Sequence, residues 1–229
     1  MTTGIRLPQG LLPGLEDIVK FYPQKDADCQ LYLPLYDYDL RGAEAIVSKD
    51  QNLHVATVTG ALWRPDGHYF DGVDDVINCG SGASLDLTTA FTIIVWIKRN
   101  GGQANYTGYV GKNSYRYWLG QRNTNILNCW VNNSAGLAGA SAIPDVQWLH
   151  VAWTHGSSGD ALYVDADTSV YGATGDLPDP LSDPTNELKI GLADNNPFKG
   201  TVGEVLVYNR ALTLAEIQRN YLATKWRYQ

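Results

Sequence analysis

Tyr69-Phe-Asp-Gly-Val-Asp-Asp-Val-Ile77, followed by Phe91-Thr-Ile-Ile-Val-Trp-Ile-Lys98, decides the fold of this chain. The first stretch sets an Asp/Gly turn between short apolar runs. The second alternates. Phe91, Ile93, Val95 and Ile97 face one way; Thr92, Ile94, Trp96 and Lys98 face the other. Ile94 and Trp96 make that second face apolar as well. A strand apolar on both faces belongs inside a layered structure rather than at its rim. The reading is a sandwich of sheets.

Size and composition agree. A chain of 229 residues supports one substantial core or at most two small ones. Tyr 14 and Trp 7 against Met 1 is a palette for strands and surface contact. A formal net charge of -7 and a pI near 5.0 leave no excess of cations for phosphates, so nucleic acid is not expected as a partner. The N-terminus, Met1 to Pro8, lacks the basic start and apolar run of a signal peptide. No apolar run approaches the roughly 18 residues that cross a bilayer, so membrane insertion is not expected. Cys29, Cys79 and Cys129 are odd in number and widely spaced, and read as small buried side chains.

Residues 1–29 form an N-terminal arm punctuated by Pro8, Pro13 and Pro23. Its one helix-like patch, Leu15 to Tyr22, has leading acids and a following Lys20, and places Ile18 near Tyr22. The arm is either a lid on its own sandwich or a handle that docks on a neighbour. From residue 30 to 229 short strands recur: 31–36, 53–58, 68–70, 76–78, 91–98, 108–112, 115–120, 126–131, 148–154, 161–164, 187–190 and 201–208. Turns rich in Gly, Asn, Asp and Pro divide them. Gly175 to Pro184 is a Pro-rich loop. A terminal helix over 213–224 opens with Thr213 as N-cap and Glu216 closing a capping box. The fold class is all-β, a two-sheet antiparallel jelly-roll sandwich with a short C-terminal helix.

Phe70-Asp-Gly-Val-Asp-Asp75, Phe91 to Trp96, Trp148-Leu-His-Val-Ala152, Leu162-Tyr-Val-Asp165, Phe198 to Leu212 and Ala215-Glu-Ile217 occur in that order. The series resembles the laminin-G-like jelly-roll domains of the concanavalin A-like lectin/glucanase superfamily. The resemblance covers roughly Gln30 to Ala223 and implies two large antiparallel sheets, one concave and one convex. It does not fix a function, because one fold hosts many sites. On it, Trp96, Trp148 and Trp153 read as packing residues and His150 as a hydrogen-bonded structural histidine.

Catalysis is not expected. Retaining glucanases of this fold use two carboxylates about 5 Å apart, and the resemblance implies a Glu-x-Asp-x-Glu run on one strand. Glu16, Glu44, Glu187, Glu204 and Glu216 form no such run. Asp165 and Asp167 share a strand face but read as hairpin-turn residues. Some relatives place a structural calcium through an Asp in an Ile-Asp-Glu-Val strand, and Gly203 stands at that position. Asp71, Asp74, Asp75 and Asp194 to Asn196 offer other oxygens and read first as Asx turns. No metal or other cofactor is expected.

A glycan surface needs rings beside amides, because sugars present both C–H faces and hydroxyls. Tyr106, Tyr109, Tyr115, Tyr117, Trp118, Gln121, Asn128 and Trp130 are the candidates. Aromatic cross-strand pairing explains the same residues structurally. The leading expectation is a non-catalytic virion component, such as a bacteriophage capsid decoration, head-fibre or tail-associated protein. It would act through contacts with its own copies or other virion proteins, and would be made in the host cytoplasm without an export signal. A carbohydrate-binding module touching cell-surface glycans is the alternative, and a glycoside hydrolase the third.

Overall fold

The computed structural model describes residues 26–103, 105–112, 116–122, 124–133, 135–193 and 196–228. The expected arm, Tyr115 and Asp194 therefore lie wholly or mostly outside the described residues. Along the chain run β1 (Cys29–Leu33), β2 (Ala45–Val47), β3 (Val55–Thr59), β4 (Leu62–Arg64), β5 (Gly67–Asp71) and β6 (Val76–Asn78). Then come β7 (Phe91–Arg99), β8 (Gly108–Lys112), β9 (Tyr117–Gln121), β10 (Ile126–Val131) and β11 (Ala135–Ala142). The last are β12 (Trp148–His155), β13 (Asp160–Val164), β14 (Ala173–Gly175), β15 (Leu188–Ile190), β16 (Lys199–Tyr208) and the helix α1 (Leu214–Thr224).

Two antiparallel sheets result. The first runs β14-β13-β12-β7-β16-β5-β4, with β1 added against β16. The second runs β11-β10-β9-β8-β15-β6-β3-β2. Their inner faces enclose one core that includes Phe70, Phe91, Ile93, Val95, Ile97, Tyr109, Tyr117, Trp153 and Phe198. The expected two-sheet jelly roll is what forms.

The double-faced strand is explained by what covers it. Ile93 and Val95 of β7 enter the sandwich core. Ile94 joins Cys29, Ala152, Leu206, Tyr208 and Ile217 in a second cluster on the outside of the first sheet, beneath α1. Trp96 stacks on Tyr228 at 4.5 Å and donates Nε1–H to Thr224 Oγ1 at 2.8 Å. Each buried branched or aromatic side chain of this kind contributes about 1.5–3 kcal/mol. The helix starts as its sequence dictates: Glu216 N–H donates to Thr213 Oγ1 and the Glu216 carboxylate takes Thr213 N–H. Arg210 ties Glu216 (2.9 Å) to Asp28 (2.9 Å). Burial opposes the Glu216 charge, yet Arg210 and the Thr213 hydrogen bonds hold its carboxyl down at about 2.

β2, β4, β11 and β14 are strands the sequence pattern does not reveal. β11 reads Ala-Gly-Leu-Ala-Gly-Ala-Ser-Ala, a composition of weak strand formers that pairing with β10 nevertheless holds. β2, β4 and β14 are three residues each, too short to show alternation. The three cysteines are free and buried.

Candidate functional site

Alternation sorts the residues of β9 and β10 onto two faces. Tyr117, Leu119, Leu127, Cys129 and Val131 enter the core. Trp118, Gly120, Asn128 and Trp130 take the opposite phase and lie on the outer face of the second sheet. There Trp118 pairs with Trp130 across β9/β10 and with Gly111 across β8/β9, while Asn128 pairs with Gly120. The floor is made of glycines. A Cβ at Gly108, Gly111 or Gly120 would run into the Trp118 indole, and one at Gly136 would touch the Trp130 ring. Glycine is used here for close approach, so that both indoles lie down on the sheet.

This geometry divides the residues expected to form a glycan surface. Tyr109, Tyr117 and Gln121 are not on it: all three are fully buried, and Tyr109 Oη donates to Gln121 Oε1 at 2.7 Å. Tyr117 Oη donates to the Leu85 carbonyl at 2.6 Å. A period of two puts them in phase with Leu119, and a bulge between Gly108 and Val110 turns Tyr109 inward with Val110. Trp118 and Asn128 are on the right face but covered. Ala193 packs over Gly108, and Gly108 N–H donates to the Asn196 carbonyl at 3.3 Å. Tyr115 lies outside the described residues.

Tyr106 and Trp130 remain. Tyr106 is 39% exposed and Trp130 half-buried, and their rings meet edge to face at 6.3 Å and 82°. Tyr106 adopts φ 59°, a left-handed conformation that a bulky residue rarely takes and that clusters at ligand sites. The two rings form a right-angled corner, a shape that offers a sugar one stacking face and one wall. Below it, Asn128 Nδ2 donates to the Leu137 carbonyl at 2.7 Å, and its buried Oδ1 accepts no hydrogen bond. Arg122 follows β9 in the phase of Trp118 and Gly120. It was missed in the sequence because it lies just past the strand, although the i, i+2, i+4 spacing carried the signal.

Several carboxylates elsewhere are engaged structurally. Asp160 is buried and accepts from Trp153 Nε1 (2.8 Å), His155 Nδ1 (2.9 Å) and Leu177 N (2.8 Å). Burial opposes charge on His155, but Asp160 and Asp179 together raise its pKa. Burial lowers that of His150 to about 4, and its Nε2 pairs with Asn220 Oδ1 at 2.9 Å, as expected of a structural histidine. Asp165 and Asp167 flank one groove beside α1, yet Asp165 takes His150 N–H and Asp167 takes Ser169 N–H. Asp71, Asp74 and Asp75 bring ligand oxygens within 4.8 Å of one another. Asp71 takes Val73 N–H, the bonding of an Asx turn, and Asp75 reaches back to take Asp71 N–H.

Among solved structures, a Trypanosoma rangeli sialidase mutant displaying trans-sialidase activity aligns at TM-score 0.68 and 15% identity, over 89% of this chain and 34% of that one. The chain thus spans about a third of the sialidases it resembles. Domain 4 of AbnA, a GH43 extracellular arabinanase from Geobacillus stearothermophilus solved with arabinotriose, aligns at TM-score 0.65 and 18% identity, over 88% of this chain and 98% of that domain. The binding domain of Paraclostridial Mosquitocidal Protein 1 aligns at TM-score 0.60 and 12% identity, over 85% of this chain and 52% of that one. At these identities the likeness establishes the fold alone. No curated protein matches the chain in sequence. The Laminin_G_3 family model matches residues 71–218, which is most of the sandwich, and the chain therefore belongs to that family of the concanavalin A-like lectin/glucanases superfamily.

Proposed function

We propose that this protein is a non-catalytic carbohydrate-binding module, and that its saccharide lies on the outer face of the second sheet against Tyr106 and Trp130. The observation that carries the reading is the aromatic corner itself: an edge-to-face pair at 6.3 Å, part-exposed, over a sheet floored with glycine. Among the described residues, no helix covers this face, whereas α1 covers the outside of the first sheet. The likeness to an arabinanase domain solved with arabinotriose, along 98% of that domain, supports the same reading. Asp71, Asp75, Asp160, Asp165 and Asp167 are each held by hydrogen bonds within the fold, which supports binding rather than bond cleavage. A virion role draws no support from the relatives named above, so the two readings set out from the sequence exchange places.

The test is titration of wild type and Trp130→Ala with arabinotriose, lactose and other neutral oligosaccharides up to millimolar concentration. Binding by wild type and a loss of about tenfold in the variant are expected, since a ring contact of about 1.4 kcal/mol is tenfold in affinity. A wild type that binds no saccharide at all would sink the proposal. Release of reducing ends from a bound polysaccharide would overturn its non-catalytic part.

A further inference from the structure

We infer that the preferred saccharide is acidic, its ring carboxylate meeting the Arg122 guanidinium. The inference rests on the binding face proposed above and specifies what that face selects. Its basis is a difference among the arginines. Arg99, Arg116, Arg210 and Arg219 sit in ion pairs with carboxylates. Arg41, Arg64 and Arg227 lie over tyrosine rings. Arg122 alone among the described arginines has neither, and its enclosed Nε has no hydrogen-bond partner. A guanidinium is always charged and presents a planar fork of donors that matches a carboxylate. Leaving the enclosed Nε–H of that fork without an acceptor is costly unless a ligand answers it.

Its position fits the site. Gly108 pairs with Gly120, and Gln121 N–H donates to the Thr107 carbonyl at 2.9 Å, so Arg122 and Tyr106 each stand one residue beyond the last bonded pair. On the other side Arg122 N–H donates to the Ile126 carbonyl at 2.9 Å, and Asn125 N–H returns to the Arg122 carbonyl at 3.0 Å. The cation therefore stands on a hydrogen-bonded turn rather than a loose loop. Trp130 lies four residues beyond Ile126 on β10, about 13 Å away at the rise of a strand. That is the span of a di- or trisaccharide. Tyr106 follows the same bonded end of the strand pair, and its ring meets Trp130 at 6.3 Å. A ligand with one ring on the aromatic corner reaches Arg122 with the next, and a carboxylate there gains charge-assisted hydrogen bonds. The chain's net charge of -7 makes this local cation selective, because the surrounding surface does not attract anions in general.

Uronic and sialic acids share this carboxylate, and the experiment separates them. Wild type and Arg122→Gln are titrated with trigalacturonate and its methyl ester, and with sialyllactose and lactose, by calorimetry at two salt concentrations. One acid is expected to bind about tenfold or more tightly than its neutral counterpart, with that preference erased in Arg122→Gln and neutral binding retained. The pair that shows the preference identifies the sugar acid. Equal binding of acid and neutral forms overturns the inference and leaves the binding face standing. Binding to none of the four, together with none of the neutral panel, overturns both.

Discussion

At the scale of single residues, Glu204 is the group most at odds with its surroundings. A register shift between Val202 and Val205 inserts one residue into β16, so Gly203 and Glu204 both sit between inward-facing valines. A Cβ at Gly203 would strike the Tyr228 ring. This gives a physical reason for the glycine: the tail's tyrosine occupies the space a side chain would need. Glu204 is left buried, with Oε1 accepting no hydrogen bond and Tyr32, Tyr36, Arg227 and Tyr228 around it. Burial raises its pKa to about 7, against a smaller lowering by Arg227. The folded state therefore holds a proton that the unfolded state has released. The stabilisation is complete below the ordinary carboxylate range and is lost as pH rises through about 7. The loss is on the order of 3 kcal/mol for a shift of this size. Urea unfolding of wild type and Glu204→Gln between pH 5 and pH 8 measures it. The wild type is expected to weaken relative to the variant as pH rises. His155 also has a raised pKa and titrates in the same direction, so the difference between the two proteins carries the test. Parallel profiles would refute it.

At the scale of elements, what the sequence revealed and what it hid have separate causes. The double-faced β7, the Asp/Gly turn with Gly72 at φ 85° and the capping box of α1 are local patterns, set by residues within a few positions of one another. All were legible. β11 was not, because its Gly, Ala and Ser are strand residues only through their partner β10. The candidate face was legible in part: the segment Tyr106–Trp130 does hold the part-exposed pair Tyr106 and Trp130, but which rings face solvent depends on a bulge at β8 and on Ala193 packing beside Trp118 at the glycine floor. The bulge sits at Tyr109 but leaves no mark in the alternation pattern, and Ala193 lies far along the chain from Trp118. The helix offers a direct check on the local kind of information. Thr213→Ala removes the hydroxyl that accepts Glu216 N–H, and is expected to lower unfolding free energy by about 1 kcal/mol in chemical denaturation. A value indistinguishable from zero would mean that Ile217 and the cluster beneath it hold the helix without its cap.

At the scale of the molecule, the two outer faces differ in what covers them. The first sheet is sealed by α1 and the tail, where Trp96, Trp148, Tyr221 and Tyr228 pack together. The second keeps a part-open aromatic face. Stability and recognition should therefore separate, and two tryptophans make the comparison with residue type held constant. Trp153 is fully buried between the sheets, packs edge to face on Phe91 at 4.7 Å and donates to Asp160 at 2.8 Å. Trp153→Ala opens a large cavity and strips a donor from a buried carboxylate, so a loss of about 3–5 kcal/mol is expected. Trp130 lies on a glycine floor with part of its ring in solvent, and Trp130→Ala is expected to cost no more than about 1 kcal/mol, in line with a surface substitution. Saccharide affinity is expected to follow the opposite order among folded molecules, lost in the second variant and kept in the first. If Trp130→Ala instead unfolded the protein as readily as Trp153→Ala, the indole would be a structural pillar of the second sheet. The outer face would then owe its aromatic character to cross-strand pairing rather than to a ligand.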